Sequence, residues 1–260
     1  MTNFKADLQK VLDLQRDMVE INPLFEQYYP VAIAVGEQFL IHEVGPESGQ
    51  YALTQEVPVP MPIPEGVRAA FEIEQLDGRC AAVVTPDAFE SQQEQVLVLH
   101  EFVHCHQAAT CEESLKGTLE IARQAKAEGH QTWELDSPFP YEGEAFARLY
   151  PAWMDALKAD DAAAARSVRA ELCAALSSLE VEYMIWQEWK EGYARWVENR
   201  IQQRLGLPVN TFGDTPPFNR ISFYVGGAAY FDWLAEREPA VMTDLPELFD
   251  RLLTASEGAP

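Results

Sequence analysis

The first stretch of the chain sets Leu8, Val11, Leu12, Leu14, Met18, Val19 and Ile21 among charged residues at helical spacing, and the pattern stops at Asn22-Pro23. From Val31 to Val84 the texture is β-branched and alternating: Val31–Val35, Gln38–His42, Val67–Glu74 and Arg79–Val84 each read as a strand. Asp77-Gly78 tolerates the positive φ angles of a tight turn, which predicts a hairpin between the last two. The expected product is a small antiparallel sheet. Between its halves, Val57–Pro64 places proline at every second position, which forbids a central strand and favours an extended or edge segment.

Beyond Thr85-Pro86-Asp87 the pattern turns helical, with Thr85 placed to cap and Pro86 at a first helical position, where its missing N–H does no harm. Neither Gly nor Pro interrupts residues 152–190, so long helices are expected there, and further helices from about Ile221 and Leu245. The last residues, 256–260, are expected to fray. The fold class is therefore α+β in one domain spanning 1–260: an N-terminal helix within 1–30, a sheet within 31–85, and a helical part over 86–260.

Composition narrows the function classes. Among 260 residues, 42 acidic side chains against 19 basic ones leave a net charge of −23. That excludes electrostatic nucleic-acid binding, which needs clustered Lys and Arg. No apolar run approaches the roughly 20 residues that span a bilayer, and charges near the start occupy the place of a signal peptide's apolar region. The expectation is a soluble, cytoplasmic protein that engages neither nucleic acid nor membrane. Cys80, Cys105, Cys111 and Cys173 are too few and too irregularly spaced for a disulfide framework, so reduced, mostly buried thiols are expected.

The candidate chemistry lies in His100-Glu101-Phe102-Val103-His104-Cys105-His106, which holds three of the five histidines. His100 and His104 are four residues apart on a predicted helix, so both imidazoles emerge on one face and reach a single Zn²⁺. This is an HExxH motif, with Glu101 as candidate general base. Val96–Leu99 and Phe102-Val103 make the helix apolar on most sides, so burying these polar groups needs compensation by a metal and hydrogen bonds. His106 points to another side and is read as a non-ligand. Gln107 and Thr110 stand where an extended HExxHxxGxxH motif requires Gly and His, which disfavours the metzincin class. The aromatic residues Trp186, Trp189, Tyr193 and Trp196 are read as core.

A catalytic zinc needs a third protein ligand. The segment Trp189-Lys-Glu191-Gly-Tyr-Ala-Arg-Trp-Val-Glu198 closely resembles the Asn-Glu-Gly-Phe-Ala helix of the aminopeptidase N family of gluzincins, and Tyr224-Val-Gly-Gly227-Ala resembles that family's Tyr-x-x-Gly-Ala helix. The resemblance implies a zincin-like fold with one Zn²⁺ per chain, His100, His104 and Glu191 as ligands, Glu101 as general base and Tyr224 as partner of the oxyanion. Glu198 matches a further Glu of the ligand helix and would stand behind the ligands. The interval from His104 to Glu191 is longer than in the family and implies a helical insertion over 115–180. It also leaves a rival third ligand, Glu142 in Glu142-Gly-Glu-Ala. The family's Gly-x-Met-x-Asn strand and N-terminal β-domain have no counterpart, so aminopeptidase specificity does not carry over.

The expected function is a zinc-dependent metallopeptidase, a hydrolase acting on peptide or protein substrates. The alternative is a non-catalytic, zinc-stabilised binding or regulatory protein with an acidic surface. Most of the charge excess reads as solvated surface, with a share lining the cleft and favouring peptides that carry Lys or Arg.

Overall fold

The computed structural model describes residues 4–257, and these form two compact units. The first comprises the chain up to Thr110 together with 197–209. It opens with helix α1 (Lys5–Asp17), whose stripe of Leu8, Val11, Leu12 and Leu14 is buried. Five strands follow: β1 (Val31–Val35), β2 (Gln38–Val44), β3 (Tyr51–Pro58), β4 (Arg68–Glu72) and β5 (Cys80–Val84). The long helix α2 (Gln92–Thr110) completes the sequence and packs on β5 and β4.

The sheet order is β3-β2-β1-β5-β4, and it is mixed, which corrects the antiparallel expectation. Two antiparallel hairpins, β1–β2 and β4–β5, join through their inner strands, which run parallel with Val31 opposite Ala82 and Ile33 opposite Val84. Alternation along a sequence marks a strand and its two faces. It carries no information on which distant strand becomes the neighbour.

Because β1 and β5 are central, both of their faces are covered, and Val31, Ala32, Ile33 and Ala81 to Val84 are fully buried. One face, made of Ala32, Ala34, Phe39, Ile41, Ala81 and Val83, is capped by Ile73 and Leu76 and by Val59 and Ile63 from the proline-rich segment. That segment leaves the sheet after Pro58 at the end of the edge strand β3, as its prolines dictate. Asp77 and Gly78 both have positive φ, as the hairpin requires, within a connection that also holds a 3-10 turn at Glu74–Leu76. Pro86 likewise opens a 3-10 turn, Pro86–Phe89, and α2 starts only at Gln92.

The second unit, residues 111–196 and 210 onwards, is helical. It contains α3 (Glu112–Lys116), α4 (Glu120–Glu128), α5 (Trp133–Asp136), α6 (Glu144–Lys158), α7 (Ala162–Ala175), α9 (Ile221–Ala235) and α10 (Leu245–Glu257). Helix α8 (Ser178–Leu205) contributes residues to both units. Trp186, Trp189, Tyr193 and Trp196 are buried as expected. Ser256 remains helical, with its hydroxyl donating to the Leu252 carbonyl, and residues 258–260 of the segment expected to fray lie outside the described residues. Among the described residues no helix is long and apolar enough to cross a membrane.

Two features fix this helical unit. Arg169 and Glu188 form a fully buried bidentate pair at 2.5 and 2.8 Å, Tyr150 donates to the same carboxylate at 2.9 Å, and Trp153 stacks on the guanidinium at 4.5 Å. Beside them, α8 and α9 meet backbone to backbone at Gly192 and Gly227. A Cβ on Gly192 would sit 2.6 Å from the Gly227 Cα, and no side chain is there to swing aside. Gly192→Ala is therefore expected to destabilise the protein by about 3 kcal/mol, read from urea unfolding. A midpoint equal to that of the wild type would mean that the two helices separate freely.

Candidate metal centre

Helix α2 is apolar almost all round, with Val96, Val98, Leu99, Phe102 and Val103 completely buried, and it carries His100, Glu101 and His104 into that environment at 6 to 7% exposure. The two imidazoles lie one turn apart with their ring centroids 4.9 Å from each other. Their outer nitrogens are both engaged. His100 Nδ1 donates to Glu198 Oε2 at 2.9 Å, and His104 Nδ1 donates to Gln107 Oε1 at 2.8 Å. A neutral imidazole that donates through Nδ1 keeps a bare lone pair on Nε2. The two Nε2 atoms face each other at 3.2 Å.

Two imidazole nitrogens this close in a buried site must share a proton or hold a cation between them. Metal–nitrogen bonds of about 2.0–2.1 Å at a tetrahedral angle would separate two ligand nitrogens by about 3.3 Å. The observed spacing fits that requirement. A carboxylate behind His100 is also the arrangement that fixes tautomer and ring orientation at metal-bound histidines. Glu198 is completely buried and is held in turn by Gln202 Nε2 on its other oxygen at 3.1 Å.

Helix α8 brings the third donor. Glu191 precedes Glu198 by seven residues on one continuous helix, about 10 Å along the axis and about 20° around it, so the two carboxylates share a face. His100, His104 and Glu191 each offer one ligand atom, and all three atoms lie within 4.8 Å of one another. Two imidazoles and one carboxylate suit a divalent transition-metal ion. The rival Glu142 is exposed, immediately before Gly143 at the start of α6, and among the described residues it joins no such group.

Other sequence expectations find definite places. His106 turns away from this pair: its Nδ1 meets the Tyr29 hydroxyl at 2.8 Å, and burial lowers its pKa. The four cysteines are free thiols, with Cys105 and Cys111 buried. Tyr224, on α9, is flanked by two guanidiniums, Arg195 at 5.4 Å and Arg220 at 5.3 Å from its ring centre. Arg220 in turn donates to Glu191 Oε1 at 3.1 Å and to Gln187 Oε1 at 3.2 Å.

Sequence reading missed Gln107 and Arg220. Gln107 had a signal, since its position three residues after His104 puts both side chains on one helical face. Arg220 had none, because its partner is 29 residues away on another helix.

Glu198→Gln removes the carboxylate from His100 while keeping shape, and is expected to weaken metal affinity by about 10- to 100-fold, measured by chelator competition. Unchanged affinity would exclude Glu198 from supporting the centre. No protein-family model matches the chain, and neither a curated protein nor a solved structure shows significant similarity to it.

Proposed function

We propose that this chain is a zinc-dependent peptidase of gluzincin type, with a zincin-like arrangement of α2 and α8. The observation that carries the proposal is the convergence of the His100 and His104 Nε2 atoms, 3.2 Å apart, with a Glu191 carboxylate oxygen. A purely structural zinc site is usually closed by four protein ligands. This group offers three.

When bound, zinc would supply Lewis acidity, polarising the scissile carbonyl and lowering the pKa of a water. The remaining work falls to the chain's own residues. Glu101, between the two histidines in sequence and buried with them, takes the proton from the attacking water and returns it to the departing amine. Its burial among apolar residues of α2 keeps competing solvent from the carboxylate. Tyr224 donates its hydroxyl to the developing oxyanion, and the two flanking guanidiniums favour negative charge on that side of the site. Glu198 and Gln107 hold the ring orientations.

A structural or regulatory zinc site does not require an acid at position 101, so Glu101→Gln separates the two classes. The expected result is full metal content by elemental analysis with cleavage of a peptide library reduced by about 100- to 10,000-fold. Metal in both proteins with cleavage by neither would favour the zinc-stabilised binding protein. Wild-type protein that holds no stoichiometric metal would overturn both readings.

A further inference from the structure

Arg220 is placed unlike a surface cation. It stands at the start of α9, its side chain is 26% exposed, and Nη1 makes both of its hydrogen bonds, to Gln187 and Glu191. Those two acceptors account for the two N–H groups of Nη1. Among the described residues Nε and Nη2 hold no hydrogen bond. These atoms form the side edge of the guanidinium, whose parallel N–H pair matches a carboxylate bidentately.

The surroundings reinforce this edge. Tyr224 packs against the guanidinium, and Tyr141 and Tyr183 lie close enough to feel its charge. A second guanidinium, Arg195, lies on the same tyrosine ring. In a chain of net charge −23, two guanidiniums thus meet at one tyrosine beside a candidate metal ligand.

We infer that Arg220 receives a carboxylate of the substrate through its Nε and Nη2 edge, so that the peptides taken by this site carry a free C-terminal carboxylate or an acidic side chain close to the scissile bond. The inference rests on the peptidase reading for the meaning of "scissile", but the recognition itself is a binding property. It runs opposite to the preference for basic peptides that net charge alone suggests.

The test uses zinc-loaded Glu101→Gln protein, so that binding is measured without turnover, and calorimetry with three peptides that differ only in the carboxylate they carry. The first ends in a free carboxylate, the second is amidated and has no acidic residue, and the third is amidated with one internal Glu. At least one carboxylate-bearing peptide is expected to bind about 10- to 100-fold more tightly than the neutral amide. Whichever of the two it is identifies the source of the carboxylate. Adding Arg220→Gln should abolish the difference while metal content stays constant. Arg220→Lys, which keeps the charge without the fork, should retain only part of it and serves as well if the Gln variant does not fold. Equal affinity for all three peptides, no binding of any, or a preference that survives Arg220→Gln would overturn the inference. Peptides bound with the expected preference but left intact by wild-type protein would sink the peptidase reading and leave Arg220 as a carboxylate receptor.

Discussion

A buried carboxylate must be answered by a positive or donating group, because stripping its hydration costs several kcal/mol that packing cannot return. Helix α8 carries Glu188 and Glu198 at zero exposure and Glu191 half-buried, its side chain 14% exposed. Each is answered differently: Glu188 by Arg169 and Tyr150, Glu191 by Arg220, Glu198 by His100 and Gln202. The first is a closed ion pair, with every strong partner in place. The other two are linked to groups that still have capacity, the Nε2 of His100 and the free edge of Arg220. This difference separates the part of α8 that holds the helical unit together from the part that is open to chemistry.

The legible portion of the site follows from helical geometry. His100, Glu101 and His104 could be placed from the sequence because an i, i+4 pair on a helix meets whatever the rest of the chain does. Glu191 and Glu198 share a face for the same reason. The third donor became a choice between Glu142 and Glu191 because sequence cannot say which distant helix arrives; among the described residues Glu191 joins the two histidines, and Glu142 is exposed ahead of α6. The fold shows the same division. Four of the five strands, the turn residues and the proline-rich edge segment were readable locally, whereas β3 (Tyr51–Pro58) was not read as a strand and the parallel pairing of β1 with β5 depends on residues about fifty apart in the chain. Arg220 was invisible for that reason too, as was the ion pair of Arg169 with Glu188, in which an acid and a base on separate helices each look like ordinary solvated charge.

The glycines bear on how a resemblance of motifs should be weighed. Glu191-Gly192-Tyr-Ala and Tyr224-Val-Gly-Gly227-Ala are set apart on the page by their small residues, and in the structure Gly192 and Gly227 are the points where α8 touches α9. Gly226 has the same character, since a Cβ there would collide with the Tyr150 ring. These residues specify close packing, and close packing by itself is compatible with many functions. What they accomplish is positional: with no side chain at the crossing, Glu191 one residue before Gly192 and Tyr224 three before Gly227 are held at fixed places, close enough for Arg220 to touch both. An acid, a guanidinium and a phenol brought together by a tight helix crossing make a polar surface that no packing requirement demands.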